Sequence, residues 1–207
     1  LLKSKHYYGH GIHSPFVYDF VRKVLFAKSG KQKLSRIEKY RKELKKNKQI
    51  INFDDFGMGS KLISGSTRKI SEIAASSSTK KKYGFLLSRI IAYYKPQCIV
   101  ELGTSAGIGT LYLSALMDSN AKLLTIEGDK HISEIANNYI NEMTDKNICF
   151  INETFEEAIP RLIEREGHFD FVFFDGHHSE KATIGYFEQC LKNTNDKSIF
   201  VFDDIHW

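Results

Sequence analysis

From residue 79 onward, short continuous runs of apolar residues alternate with stretches whose apolar positions recur every three or four residues. The runs Cys98 to Leu102, Leu123 to Glu127, Ile148 to Ile151, Phe169 to Phe174 and Ser198 to Phe202 have the length and β-branched or aromatic content of strands. They are too uniformly apolar to leave one face wet. That predicts a parallel sheet covered by helices on both sides, an α/β doubly wound arrangement whose ligands gather at the carboxyl ends of the strands. Helical periodicity is expected over Ser66 to Ala75 and Thr79 to Tyr94, split by Ser76-Ser77-Ser78, and again over Ile108 to Met117.

The first 60 residues follow a different pattern. Ser14-Pro15 forms a helix start, an N-cap followed by proline at the first helical position, with Phe16, Val17, Phe20, Val21, Val24 and Leu25 on one face and Gly30 beyond its end. A second amphipathic helix carries Leu34, Ile37, Tyr40 and Leu44 at helical spacing, and lysines and arginines fill much of the rest. Residues 1 to 50 hold 14 Lys and Arg against 3 acids, while the whole chain of 207 residues has a net charge of +5, so the basic excess belongs to this region. Two units are therefore expected, a basic helical extension over 1–60 and a core over 61–207. Clustered lysines suit a nucleic-acid partner. A solvated helix face explains them better, because no aromatic residues interleave as a base-stacking platform requires.

Composition narrows the class. A hydrophobic content of 42% with three prolines argues for one folded core with an appendage. Cys98, Cys149 and Cys190 are odd in number, widely spaced and set in apolar runs, which fits reduced core residues of a cytoplasmic protein better than a disulfide set or a zinc site. No apolar run reaches the roughly 18 residues of a membrane span.

The candidate chemistry starts at Glu101-x-Gly103-x-x-x-Gly107-x-Gly109, where an apolar strand closes and a helix opens. Glycines let the backbone turn sharply and approach a ligand, and the helix start offers unpaired N–H groups. The spacing is wider than the Gly-x-Gly-x-x-Gly of dinucleotide sites. Glu127 closes the next strand about where a ribose-binding carboxylate follows a glycine loop. This pattern resembles motif I and its partner acid in class I S-adenosylmethionine (AdoMet) methyltransferases, which have a Rossmann-like sheet. The resemblance implies that Gly103, Thr104, Ser105, Gly107 and Gly109 wrap the methionine end of AdoMet. It also implies that Glu101 faces the ammonium group, that Glu127 and Gly128 hold the ribose, and that Phe155 and Glu156 lie near the adenine. An NAD(P)-dependent oxidoreductase is the alternative that shares these residues.

Further on, Asp175 follows the fourth core strand, and Asp203 and Asp204 follow the fifth. Three carboxylates brought together need protons or a cation, and oxygen-only ligands suit Mg²⁺, or alternatively Ca²⁺, better than zinc. Metal-dependent O-methyltransferases of the catechol type are similar here, with an Asp after strand four and an Asp-Asn pair after strand five, although Asp204 replaces the Asn. Sugar and macrolide O-methyltransferases resemble Asp175-Gly176-His177-His178, which implies that His178 is a general base beside Asp175. The expected activity is metal-assisted methyl transfer to a hydroxyl of a small-molecule acceptor. An RNA methyltransferase or RNA-binding module is the alternative that would use the basic region.

A bacterial group of AdoMet methyltransferases with a helical N-terminal extension is also similar around His10 to Phe16, Asp54 to Ser60 and Phe202 to Trp207. His10 and His13 are candidates to line the acceptor pocket, although packing at the helix entry accounts for them better, and residues 54–60 form either a lid over the cofactor or a plain linker. The resemblance to class I methyltransferases implies a closing antiparallel pair of strands that this sequence stops short of, and a homodimer is left open.

Overall fold

The computed structural model describes residues 14–27, 31–53, 66–76, 79–176 and 179–203. His10, His13, residues 54–60, His177, His178 and Asp204 lie outside them. A five-stranded parallel sheet organises the molecule: β3 (Cys98–Leu102), β4 (Lys122–Ile126), β5 (Ile148–Ile151), β6 (Phe171–Phe174) and β7 (Ile199–Phe202), in the order β5-β4-β3-β6-β7. The order reverses beside β3, so the chain leaves a crevice there at the carboxyl ends of the strands.

Alternation along each strand sends successive side chains to opposite faces. Val100, Leu102, Leu124, Ile126, Val172 and Phe174 pack with α7 (Phe155–Arg165) and α8 (Glu180–Leu191). On the other face, Ile99, Leu123, Phe171 and Phe173 meet α4 (Lys81–Tyr94), α5 (Ile108–Ser114) and Val24. Helices thus cover both faces, as the continuous apolar runs require. A third cluster joins α2 (Lys31–Leu44), α3 (Ile70–Ser76), α5 and α6 (Lys130–Met143), with Leu34, Ile37, Tyr40 and Leu44 of α2 all buried in it.

Two expectations about the first 76 residues are corrected, the helix start at Ser66 and the apolar face of the first helix. Ser66 to Lys69 is not the start of a helix but a strand, β2, paired antiparallel with β1 (Ile50–Phe53), and the helix begins at Ile70. This hairpin joins residues on either side of position 60, and α2 shares a core with α5 and α6. The first helix, α1 (Pro15–Asp19), widens into a π-helical turn over Phe20–Leu25. Of its predicted apolar face only Val24 is buried, and Phe16 is 63% exposed. The Ser14 side chain caps this helix by accepting the Val17 N–H, as its position before Pro15 predicts. No described helix is long and apolar enough to cross a membrane.

Candidate functional site

Strand register sets the frame. Leu102 lies level with Ile126 and Phe174, Ile126 with Ile151, and Phe174 with Phe202. The next residue of each strand, Gly103, Glu127, Asn152, Asp175 and Asp203, therefore lies along one edge. Backbone bonds hold four of these five: the N–H groups of Gly103, Glu127, Asp175 and Asp203 donate to the carbonyls of Ile126, Ile151, Leu102 and Phe174 at 2.9 to 3.0 Å.

The loop from Gly103 to Gly107 rises from the centre of this edge. Gly103 has φ +107°, and a Cβ there would sit 2.5 Å from the carbonyl oxygen of Asp175, so conformation and close approach both demand glycine. Gly107, at φ +78°, occupies the N-cap position of α5. Between them, Ser105 adopts φ +44° and donates its N–H to Glu127 Oε2 at 2.8 Å. Glu127 Oε1 also accepts the Asp129 N–H at 3.1 Å. The Gly128 N–H acts on the same carboxylate, whose roughly four acceptor sites leave room for a further donor. Burial raises the Glu127 pKa, and these backbone N–H groups oppose the rise.

Glu101 points to the α4/α5 face and is fully buried, with 0% exposure. Its Oε2 accepts the hydroxyls of Thr110 and Thr125, each at 2.6 Å. Thr125 in turn shares a 2.5 Å hydroxyl contact with Thr104. Its Oε1 has no hydrogen-bond partner, and it is the one such buried side-chain nitrogen or oxygen among the described residues. Burial pushes the Glu101 pKa up to about 8; the two threonine hydroxyls oppose the shift, and the charge of Glu127 adds to it. Gly109 makes room for the unpaired oxygen. A Cβ at 109 would lie 2.6 Å from Glu101 Oε1 and 3.1 Å from Thr79 Oγ1. The third glycine of the motif therefore opens a notch over the carboxyl group.

Asp175 and Asp203 fall on neighbouring strand tips, and Thr79 Oγ1 donates to Asp175 Oδ2 at 3.2 Å. Among the described residues no three His, Cys, Asp or Glu side chains are grouped to hold a metal ion; Asp204, the third expected ligand, and His178, the expected base, lie outside them. Phe155 stacks edge-on against Tyr186 at 5.5 Å, and its ring lies where a Cβ on Gly176 would be, 2.9 Å from Cζ. Glu156 accepts the hydroxyl of Tyr186 on α8. Gly128 follows Glu127, and Asn152 binds the carbonyls of both residues at 2.8 and 3.2 Å.

An acid-led glycine loop at the centre of the β5-β4-β3-β6-β7 parallel sheet is matched by a family model for a methyltransferase domain over residues 100–205. The chain belongs to this methyltransferase family. Among its relatives, the catechol O-methyltransferase of Niastella koreensis is 25% identical over 62% of this chain and 58% of its own length. The chain spans about half the length of the curated relatives it matches. The fold of the methyltransferase is similar to that of an O-methyltransferase from Bacillus cereus in complex with S-adenosylhomocysteine (TM-score 0.60, 17% identity, 90% of this chain and 71% of that one). It is similar also to that of TomG from Streptomyces achromogenes in complex with AdoMet (TM-score 0.58, 19% identity, 92% and 77%).

The site also uses residues that the motif reading passed over: Thr79, Thr110, Thr125 and Asn152. Thr110 and Thr125 carry a legible signal, since Thr110 directly follows the last motif glycine and Thr125 is a lone hydroxyl in an apolar strand run. Thr79 carries none, its partner Asp175 being 96 positions away, and Asn152 stands in a polar stretch where nothing sets it apart.

Proposed function

We propose that this methyltransferase transfers a methyl group from AdoMet to a hydroxyl of a small-molecule acceptor. The observation that carries the reading is Glu101: a fully buried carboxyl oxygen without a partner, at the head of a glycine loop, is a place for a cationic group such as the ammonium of AdoMet. A dinucleotide would bring a pyrophosphate to this region instead, which offers no cation to the unpaired oxygen and would disfavour the ionised form of Glu101 still further. Bound there, AdoMet supplies an electrophilic methyl group on a sulfonium.

The chain's own residues do the rest. Glu101 takes the ammonium through Oε1 while Thr110 and Thr125 hold its other oxygen. Glu127, already oriented by Ser105 and Asp129, accepts the ribose hydroxyls, and Phe155 offers an aromatic edge toward the adenine side. Asp175, Asp203 and Asp204 form an all-oxygen donor set suited to Mg²⁺, with Ca²⁺ the alternative, which would orient the acceptor hydroxyl and favour its ionised form. His178, three residues beyond Asp175 in the sequence, accepts the proton of that hydroxyl, a contribution of about 10² to 10⁴ in rate.

Titration calorimetry with S-adenosylhomocysteine tests the cofactor reading. Binding that is weakened at least ten-fold by Glu127→Ala supports it; no binding by the unaltered protein, or competition by NAD in place of AdoMet, refutes it. The metal is tested separately by Mn²⁺ binding, which Asp175→Ala should abolish. Retained affinity in that variant would remove the metal and leave the cofactor reading standing.

A further inference from the structure

The basic N-terminal region reaches the cofactor loop directly. Tyr40 of α2 is buried, and its hydroxyl donates to the carbonyl of Ala106, inside the Gly103 to Gly107 turn, at 3.0 Å. That carbonyl belongs to the same peptide group as the Gly107 N–H, which donates to the Thr104 carbonyl at 2.8 Å. The peptide plane is therefore held on both sides, once from within the loop and once from α2. Its orientation sets up Gly107 at φ +78°, and through it the start of α5.

Next to Tyr40, Arg41 is 8% exposed and donates to the Thr79 carbonyl at 2.5 Å. Its Nε donates to Glu38 Oε1 at 3.2 Å, the same oxygen that accepts the Tyr112 hydroxyl from α5. One turn of α2 thus meets the loop, the helix that follows it, and the residue whose hydroxyl bonds Asp175. Sequence assigns Tyr40 only to an apolar helix face, where a phenylalanine would serve equally well. The hydroxyl bond to a loop carbonyl gives the tyrosine a second purpose.

We propose that Tyr40 is a positioning residue for the AdoMet loop, and that docking of α2 and occupancy of the cofactor site are thermodynamically coupled through the Ala106–Gly107 peptide. The inference rests on the AdoMet reading above. A loop already fixed by Tyr40 loses less freedom when it closes on a ligand, so the ligand binds more tightly. By reciprocity the bound ligand must then hold α2 more firmly.

Two measurements on the full chain test this. Tyr40→Phe keeps the ring against Tyr139, 4.8 Å away, and removes only the donor. Its affinity for S-adenosylhomocysteine should fall about three- to ten-fold, the worth of one hydrogen bond. Hydrogen exchange of the unaltered protein should slow on adding S-adenosylhomocysteine in residues 37–44 by more than in α8 on the opposite face of the sheet. In Tyr40→Phe that excess should disappear. A variant of lowered melting temperature but unchanged affinity, or equal slowing in α2 and α8, would overturn the coupling while leaving the AdoMet reading intact. Absence of any S-adenosylhomocysteine binding by the unaltered protein would overturn both. Should Tyr40→Phe fail to fold, the exchange comparison on the unaltered protein decides alone.

Discussion

A carboxyl group sealed among threonine hydroxyls with no cation beside it holds its proton more tightly than one in water, and among the described residues Glu101 is in that position. Its value in the unfolded chain is near 4.5, and burial raises it to about 8 in the fold. The folded state therefore binds more protons than the unfolded state between these values, and stability falls as pH rises from about 4.5 to 8. For a fully buried group the loss is on the order of 3 to 5 kcal/mol. Thermal unfolding of the ligand-free protein across pH 5 to 8 should show this decline, and Glu101→Gln, which stays neutral, should flatten it. Beside burial, the groups that act on the shift are few: Glu127 adds its charge, and Thr110 and Thr125 donate to the carboxyl and oppose the rise. An ammonium group at Oε1 reverses the balance and favours ionised Glu101. S-adenosylhomocysteine should then release close to one proton on binding at pH 6, measured as a dependence of calorimetric enthalpy on the buffer's heat of ionisation. A proton count of zero would mean that the ligand's positive charge lies elsewhere.

At the scale of elements, helix starts and helix contacts carry separable free energies. Thr154 caps α7 by accepting the Glu157 N–H, and Glu157 reaches back to the Thr154 N–H, a reciprocal pair that the spacing Thr-x-x-Glu encodes. Thr154→Ala should cost about 1 kcal/mol in chemical denaturation, with cofactor affinity unchanged. Gly84 on α4 answers to a different constraint, since a Cβ there would run into the ring of Tyr112 on α5. Gly84→Ala should lower stability by about 1 to 3 kcal/mol through overpacking, even though alanine is the better helix former. The five core strands are legible in the sequence because a sheet covered on both faces is apolar at most positions, Glu101 and Thr125 being site residues among them. Ser66 to Lys69 is not, because Ser-Thr-Arg-Lys has no alternation and becomes a strand only through Ile50 to Phe53 opposite it. The glycine loop and its two acids are likewise legible, being chemistry fixed by local spacing. The bonds from Tyr40 to Ala106 and from Thr79 to Asp175 join residues 66 and 96 positions apart, and no local pattern announces them.

Over the whole molecule, charge and burial disagree about where the protein divides. The excess of lysine and arginine marks residues 1 to 50 as an appendage, but α2 places Leu34, Ile37, Tyr40 and Leu44 in a core shared with α5 and α6. Burying each such side chain is worth about 1.5 to 3 kcal/mol, so the four together supply roughly 6 to 12 kcal/mol. A domain of this size has a total stability of about 5 to 15 kcal/mol. Removing the helix would therefore take away most of the margin, and would expose Ile108, Leu111, Ile132 and Ile140 to water as well. A chain beginning at Asn47 keeps the whole β1–β2 hairpin and the five-stranded sheet, yet it should show no cooperative thermal unfolding transition and should bind a hydrophobic dye at room temperature. The charge pattern makes the opposite forecast, that the truncated chain melts sharply and keeps its affinity for S-adenosylhomocysteine. The two differ by the whole of the folding transition, so a single melting curve separates them. Burial is expected to govern because Lys39 and Lys42 of α2 are exposed, and charge on a solvated face affects solubility and partners but adds little to the free energy of folding.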